Sequence, residues 1–545
     1  MYSKWMELSS RIYNFSRFFG ILGQNSGRNA TVGLPRAYAC GMVYGMKTAF
    51  LTILLASSGC CLAAVSFDSN FGDHMVLQQG QPITVRGEAD GSADVTVTFG
   101  AATATAKVKD GKWQAMLQPQ AATAAGKALC AAQGTDRAEL QDVVVGEVWF
   151  ASGQSNMLFR LDQTADKQAA IAASGNANVR FFHCEPQVHT NNAAYGEKEK
   201  NTLNSGAMYQ GKWAVSSPQT SPRMSAVGYY FATELQKQLG VPVGIIHASL
   251  GGSEMMAWIP ESALQAKYPD CLTEKWLDSK YMSEWVRGRA RKNIGADLAM
   301  PHPYKPGYLF KTGVQRWVDF PVRGVIWYQG ESDAEIQDMA QNYTLLSDLI
   351  GSWRAEFKRP DMPWVQVQLP RINDKSKLRA YWPEFREVQQ QAADRIPGVY
   401  NTTTIDLGST NSDVHPNRKV EVGTRAGRVA AAKVYGKDTA WTGPQISGFK
   451  PSGSSISVSL KHAKDLATTN GQAPTGFEIA GKDGVFHDAN AEIKGNKVIL
   501  TCLEVKKPEK VRYGWKVFFE PNLVNGDGLP AVPFSGKAQG KKAKH

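Results

Sequence analysis

The sequence predicts an α/β protein in which a parallel-sheet domain is flanked on both sides by smaller β-sandwich-like domains. Two patterns carry this expectation. Between Gly146 and Lys437, apolar strand-like runs (VRFFHC, VGIIHASL, VRGVIWYQ, WVQVQLP) alternate with amphipathic stretches such as SAVGYYFATELQKQL and QNYTLLSDLIGSWRAEF. Repetition of strand then helix builds a parallel sheet. On either side of that segment, short period-two runs broken by Gly and Asp (ITVRGEA, DVTVTFG; SSISVSLK, NKVILTCL) read as antiparallel strands. A chain of 545 residues is also long enough for roughly three domains and an ample core.

Taken in order, residues 1–64 read as an N-terminal extension and a signal peptide. Residues 46–64, MKTAFLTILLASSGCCLAA, place a lysine after a methionine, then an apolar core, then small residues. This is the layout of a secretory signal starting at Met46, so an exported protein, periplasmic or extracellular, is expected. The apolar run from Ala49 to Ala56 is too short for the ~20 residues of a membrane span. A lipid anchor at Cys60 is a minor alternative, because Ser57-Ser58-Gly59 lacks the usual leucine.

Cys130, Cys184, Cys271 and Cys502 follow that region, widely spaced and without C-x-x-C or Cys/His clustering. A zinc site is therefore not expected, and one or two disulfides are open to an exported chain. The formal charge of +12 owes much to residues 1–64, with six Lys/Arg against one Glu, which leaves +7 for the rest. No arginine-rich stripe or aromatic-interleaved basic motif accompanies it, so nucleic acid is not an expected partner. The expected units are 65–145 (β), 146–437 (α/β), 438–536 (β) and a basic tail, 537–545. Within the second, residues 253–319 are irregular and rich in Trp, Lys and Pro, and read as a substrate-lining insertion.

The stretch from Val143 to Met157, VVVGEVWFASGQSNM, organises the whole. Its near-continuous apolar run suits a strand buried on both faces. Ala151, Ser152 and Gly153 are small enough for a tight turn, which delivers Ser155 to the carboxyl edge of the strand, where open parallel sheets bind ligands. A serine there also reads as a plain turn or N-cap residue.

GQSNM resembles the nucleophile block of the sialate O-acetylesterase family, a branch of the SGNH/GDSL-type carbohydrate esterases. LGGSEMMAW (250–258), IWYQGESD (326–333) and DVHP (413–416) resemble its later blocks, in the family's order. DHMVLQ, RYGW and NLVNGDGLPAVPF extend the likeness over most of 65–534. The resemblance implies an SGNH-hydrolase-type catalytic domain after an immunoglobulin-like β domain, and Ser155 as nucleophile. With no recognisable metal-ligand cluster in the sequence, no metal and no cofactor are expected.

A serine hydroxyl needs a base, most often a histidine held by a carboxylate. His415 lies in the polar loop STNSDVHPN beside Asp413, where the resemblance puts the base, whereas His247 in VGIIHASL reads as a core histidine. Asp413 is the expected orienting acid, although its Asp-x-His spacing differs from the Asp-x-x-His common in the wider superfamily. Asp406, or a backbone carbonyl, remains an alternative. For the oxyanion, the candidates are the N–H groups of Ser155 and Gly252 and the side-chain amide of Gln329. Gln154 and Glu331 complete the substrate-side set, with Glu331 read as a buried residue that holds the QGES turn. Trp149, Trp258 and Trp327 read as core with a possible apolar wall for an acyl or sugar group.

The expected activity is release of acetate from O-acetylated sugars, first of all sialic acids. The alternatives are an acetyl-xylan or other polysaccharide esterase, and a silent carbohydrate-binding protein.

Overall fold

The computed structural model describes residues 65–537. The signal, the Cys60 anchor and most of the basic tail lie outside them. Among the described residues, no helix is long and apolar enough to cross a membrane.

The central element is β1 (Asp136–Gly153), an 18-residue strand that serves two sheets. Its first part pairs antiparallel with Thr123–Gln133, which continues to Val95–Phe99 and Ala102–Ala106. Its second part is the centre of a parallel sheet with β2 (Asn176–Pro186), β3 (Val243–Ser249), β4 (Gly324–Tyr328), β5 (Trp364–Val367) and β6 (Val399–Thr402), in the order β2-β3-β1-β4-β5-β6. The boundary expected at 145/146 thus falls inside one strand. Val143–Val145 are fully buried and continue the same backbone from one sheet to the next.

The chain leaves β1 for β2 and β3 on one side, then crosses to β4, β5 and β6 on the other. The strand order therefore reverses at β1, and in open sheets of this kind ligands bind at the carboxyl ends of the strands beside such a reversal. There the short helix α1 (Ser155–Leu158) begins. Alternation along β1 sorts its side chains to two cores. Val148 and Phe150 join a core with α4 (Met339–Glu356) and α5 (Trp382–Arg395), which follow α3 (Glu284–Ile294) in the 253–319 segment. Trp149 and Ala151 face α2 (Ala226–Leu239) and α6 (Val420–Tyr435). Helices cover both faces, which is why the strands read as unbroken apolar runs.

After α6 come two four-stranded antiparallel sheets with a shared core that includes Ile456, Val458, Phe477, Ile479, Val511 and Tyr513. The chain is thus a mixed α/β protein with one large mixed sheet and additional antiparallel sheets at its C-terminal end. Trp258, Trp327, Trp353 and Trp364 form a fully buried cluster of aromatic rings, with Trp327 centroids 5.5–6.1 Å from the other three. Trp149, Trp258 and Trp327 are thus core, not a substrate wall. The four cysteines are all buried and free, so the structure forms none of the allowed disulfides among the described residues.

Candidate active site

Three blocks distant in sequence meet at the carboxyl ends of β1, β3 and β4. Gly153 has φ +139° and a Cβ there would fall 2.1 Å from the Tyr328 carbonyl, so only glycine lets β1 turn against β4. Leu250 N–H donates to Gly153 O at 3.2 Å, and Gln154 N–H to Tyr328 O at 3.0 Å. The Gln154 side chain is buried and its Oε1 accepts from Gly330 N–H at 3.3 Å. Gln154 thus clamps the GQSN turn to the QGES turn.

Ser155 opens α1 and is half-buried, with Gly251 packed on it: a Cβ built at Gly251 would lie 3.6 Å from Ser155 Cβ. The N–H groups of Ser155 and Gly252 have no acceptor among the described residues, as suits donors at a helix start and a tight turn. Gly252 has φ +74°, and a Cβ there would meet Tyr304 Oη at 2.3 Å and the Trp285 ring at 2.8 Å. Its carbonyl accepts from Ser332 Oγ at 3.2 Å. Gln329, also buried, gives one amide proton to Ser253 O at 3.3 Å and keeps the other.

His415 is on the loop between β6 and α6. Its Nδ1 lies 3.5 Å from Asp413 Oδ1, which also accepts its backbone N–H at 2.9 Å. Hydrogen bonding from His415 holds the Asp413 carboxyl below its usual range, against partial burial. Asp406 is engaged elsewhere, with both oxygens 2.7 Å from the Arg425 guanidinium. The His415 loop is drawn to the serine turn through Asn156, whose Nδ2 donates to Val414 O at 2.9 Å. No direct hydrogen bond joins Ser155 to His415; in unliganded sites such bonds are commonly long and tighten around substrate.

Glu331 is buried, and its Oε1 accepts the second Asn156 N–H at 2.5 Å. Burial raises its pKa, and His415 and Lys419 act in the opposite direction. Nearby, Asp333 is pushed up to about 8 by burial, and Glu254 is raised by burial and by Asp333. Among the described residues, no group of three His, Cys, Asp or Glu is placed to hold a metal ion.

The likeness of this chain to known proteins follows the same geometry. A model of the carbohydrate esterase family described as sialic acid-specific acetylesterase matches residues 145–433, from inside β1 to the last turn of α6. The chain belongs to this family. It is 25% identical over 450 residues to the sialate O-acetylesterase of Mus musculus, covering 74% of this chain and 79% of that protein. It is 26% identical over 442 residues to the human sialate O-acetylesterase, covering 74% and 77%. A solved carbohydrate acetylesterase from Xanthomonas citri aligns with a TM-score of 0.73 and 29% identity, over 87% of this chain and all of that one. Like the family, the chain is a carboxylic ester hydrolase acting on carbohydrate, a carbohydrate O-deacetylase.

Three residues outside the motif blocks quoted from the sequence join the site in the structure. Lys419 is fully buried beside Asn156. Half-buried Trp285 abuts Gly252, and the Arg289 guanidinium stacks 4.8 Å over its ring. Arg289 has no carboxylate in ion-pair range among the described residues; its Nη1 donates to Thr190 O at 3.4 Å. A Trp and an Arg four residues apart on a basic helix (EWVRGRARKN) were the available signal, since i and i+4 share a helix face.

Proposed function

We propose that the chain is an exported serine esterase of SGNH-hydrolase type that releases acetate from O-acetylated sialic acids. The observation that carries the chemistry is the joining of the Ser155 turn to the His415 loop through Asn156, beside two N–H donors with no acceptor. Ser155 Oγ attacks the acetyl carbonyl while His415 takes its proton. The tetrahedral oxyanion is met by the Ser155 and Gly252 N–H groups and by the free Gln329 amide proton. Collapse expels the sugar hydroxylate, which takes the proton back from His415. Water then repeats the sequence on the acyl-enzyme and frees acetate.

The sialate preference is supported by Arg289 and Trp285 next to Gly252. A sugar acid presents an apolar ring face to the indole and a carboxylate to a guanidinium that has no carboxylate partner among the described residues. Export rests on the signal-like layout of residues 46–64, and the amino terminus of the mature protein tests it.

The experiment is acetate release from O-acetylated sialic acid and from acetylated xylan. Ser155→Ala is expected to abolish both, since removing one hydroxyl from a half-buried residue leaves the core intact. Arg289→Gln is expected to raise KM for the sialate about tenfold, the scale of one lost charge-assisted contact, with a neutral acetyl ester unaffected. Equal loss on both substrates would remove Arg289 from substrate selection. No turnover by the wild type would leave a carbohydrate-binding protein.

A further inference from the structure

Asn156 follows the candidate nucleophile, and its side-chain amide is saturated. One N–H goes to Glu331 Oε1 at 2.5 Å and the other to Val414 O at 2.9 Å, while Oδ1 accepts from Lys419 Nζ at 2.5 Å. These partners fix which way the amide faces, because turned over it would set its own NH2 against an ammonium and its oxygen against a carboxylate and a carbonyl. Lys419 is fully buried at the start of α6. Its Nζ lies 4.9 Å from the Phe159 ring centroid and 5.5 Å from that of Tyr328, and Phe159 is stacked on His415 at 6.4 Å.

An ammonium in such a place is costly: burial lowers the Lys419 pKa to about 7, with Glu331 and Asp413 acting in the opposite direction. Retaining a buried charge that a Met could replace suggests a role other than holding the fold. We propose that Lys419 is a positioning residue for the esterase reaction, which polarises and orients the Asn156 amide so that its N–H pins Val414 and thereby sets His415 against Ser155. Glu331 is its counter-charge across the same amide. Without the Nζ donor, the amide has no reason to keep its oxygen inward, and Val414 O can be left facing another oxygen.

This inference rests on the esterase reading, and the test separates the two. Lys419→Met keeps the length of the side chain and removes its charge. The expected result is a fall in kcat of about 30-fold or more, with KM within twofold and a melting temperature equal to or above that of the wild type. A second readout is pH. The folded state releases the Lys419 proton near 7 and the unfolded chain near 10.4. Wild-type stability should therefore rise relative to the variant between those values, because the unfolded state then binds more protons. The groups that face the ammonium are Asn156, Glu331 and the Phe159 and Tyr328 rings, with Asp413 on its own loop.

Unchanged kcat, or a loss of kcat matched by a loss of stability, overturns the proposal. Should Lys419→Met not fold, Glu331→Gln decides, with a comparable fall in kcat at constant KM expected and an unchanged kcat refuting the positioning role. An active wild type with an unaffected Lys419→Met sinks the role of Lys419 alone, whereas an inactive wild type sinks the esterase reading itself.

Discussion

His247 and His415 both lie near the carboxyl ends of the parallel strands, yet only one is built to move a proton. His247 is the third residue from the end of β3, which is buried throughout, with Nδ1 2.9 Å from His183 Nδ1 and Nε2 2.6 Å from Ser249 Oγ. Both nitrogens are committed, and burial followed by His183 lowers its pKa well below the histidine range. His415 is on a partly exposed loop, with Asp413 on Nδ1 and no hydrogen-bond partner on Nε2 among the described residues. A general base needs one nitrogen held and the other free.

The strongest way to break this comparison is to exchange the roles. His415→Gln should lower kcat about 10⁶-fold, the scale of losing the general base of such a triad, while leaving stability nearly intact. His247→Gln should leave kcat within a few-fold and cost about 1–3 kcal/mol of stability, because His183 and Ser249 lose a buried partner. Activity assays with thermal melts of both variants check this, and a larger kcat loss at 247 would move the base there.

The second contrast is between the two acids offered for His415. Asp413→Asn should reduce kcat about 10⁴-fold, the scale of losing the acid that orients such a histidine, with little change in melting temperature, because the carboxylate is more than half exposed (58%) and touches only its own loop. Asp406→Asn should leave kcat nearly unchanged. It should destabilise by about 1–3 kcal/mol, since Arg425, 10% exposed, loses its bidentate partner. The opposite pattern in paired kinetics and melts would make Asp406 the orienting acid.

Much of this was legible because the decisive signals are local. The runs VVVGEVWF, VGIIHASL and VRGVIWY are long, apolar and β-branched, and each ends in small residues that carry GQSN, GGS or QGES. Period and turn chemistry suffice to put those blocks on one edge of a sheet. The single strand through 145/146 was not legible, because Val143–Val145 read as buried strand whichever sheet they join, and partner exchange leaves no mark on periodicity.

Lys419 was hidden for a related reason. A lone lysine before a helix reads as solvated, and only a bond to Asn156, 263 residues away, shows its burial. Gln154 was legible as a site residue, but its side chain binds Gly330 and so supports the turn.

The smallest effect expected concerns a third histidine. His302 is fully buried in the 253–319 segment, with its Nδ1 accepting the Tyr304 N–H at 3.0 Å and its Nε2 3.2 Å from Asn293 Oδ1. Burial lowers its pKa to about 3, against the usual value near 6.5. Between those values the unfolded chain holds a proton that the folded chain does not. The stability contributed by His302 is therefore complete above pH ~6.5 and is lost progressively as pH falls toward 3. From pH 7 to pH 5 the loss should be about 1–2 kcal/mol. Asp333, with its raised pKa, changes stability in the opposite sense over pH 4–8, so the wild type alone does not isolate the effect. The difference in unfolding free energy between wild type and His302→Gln does, and it should shrink on acidification. A difference independent of pH from 7 to 5 would mean that His302 is protonated or hydrated in the folded state, and that the segment beside Gly252 is open to water.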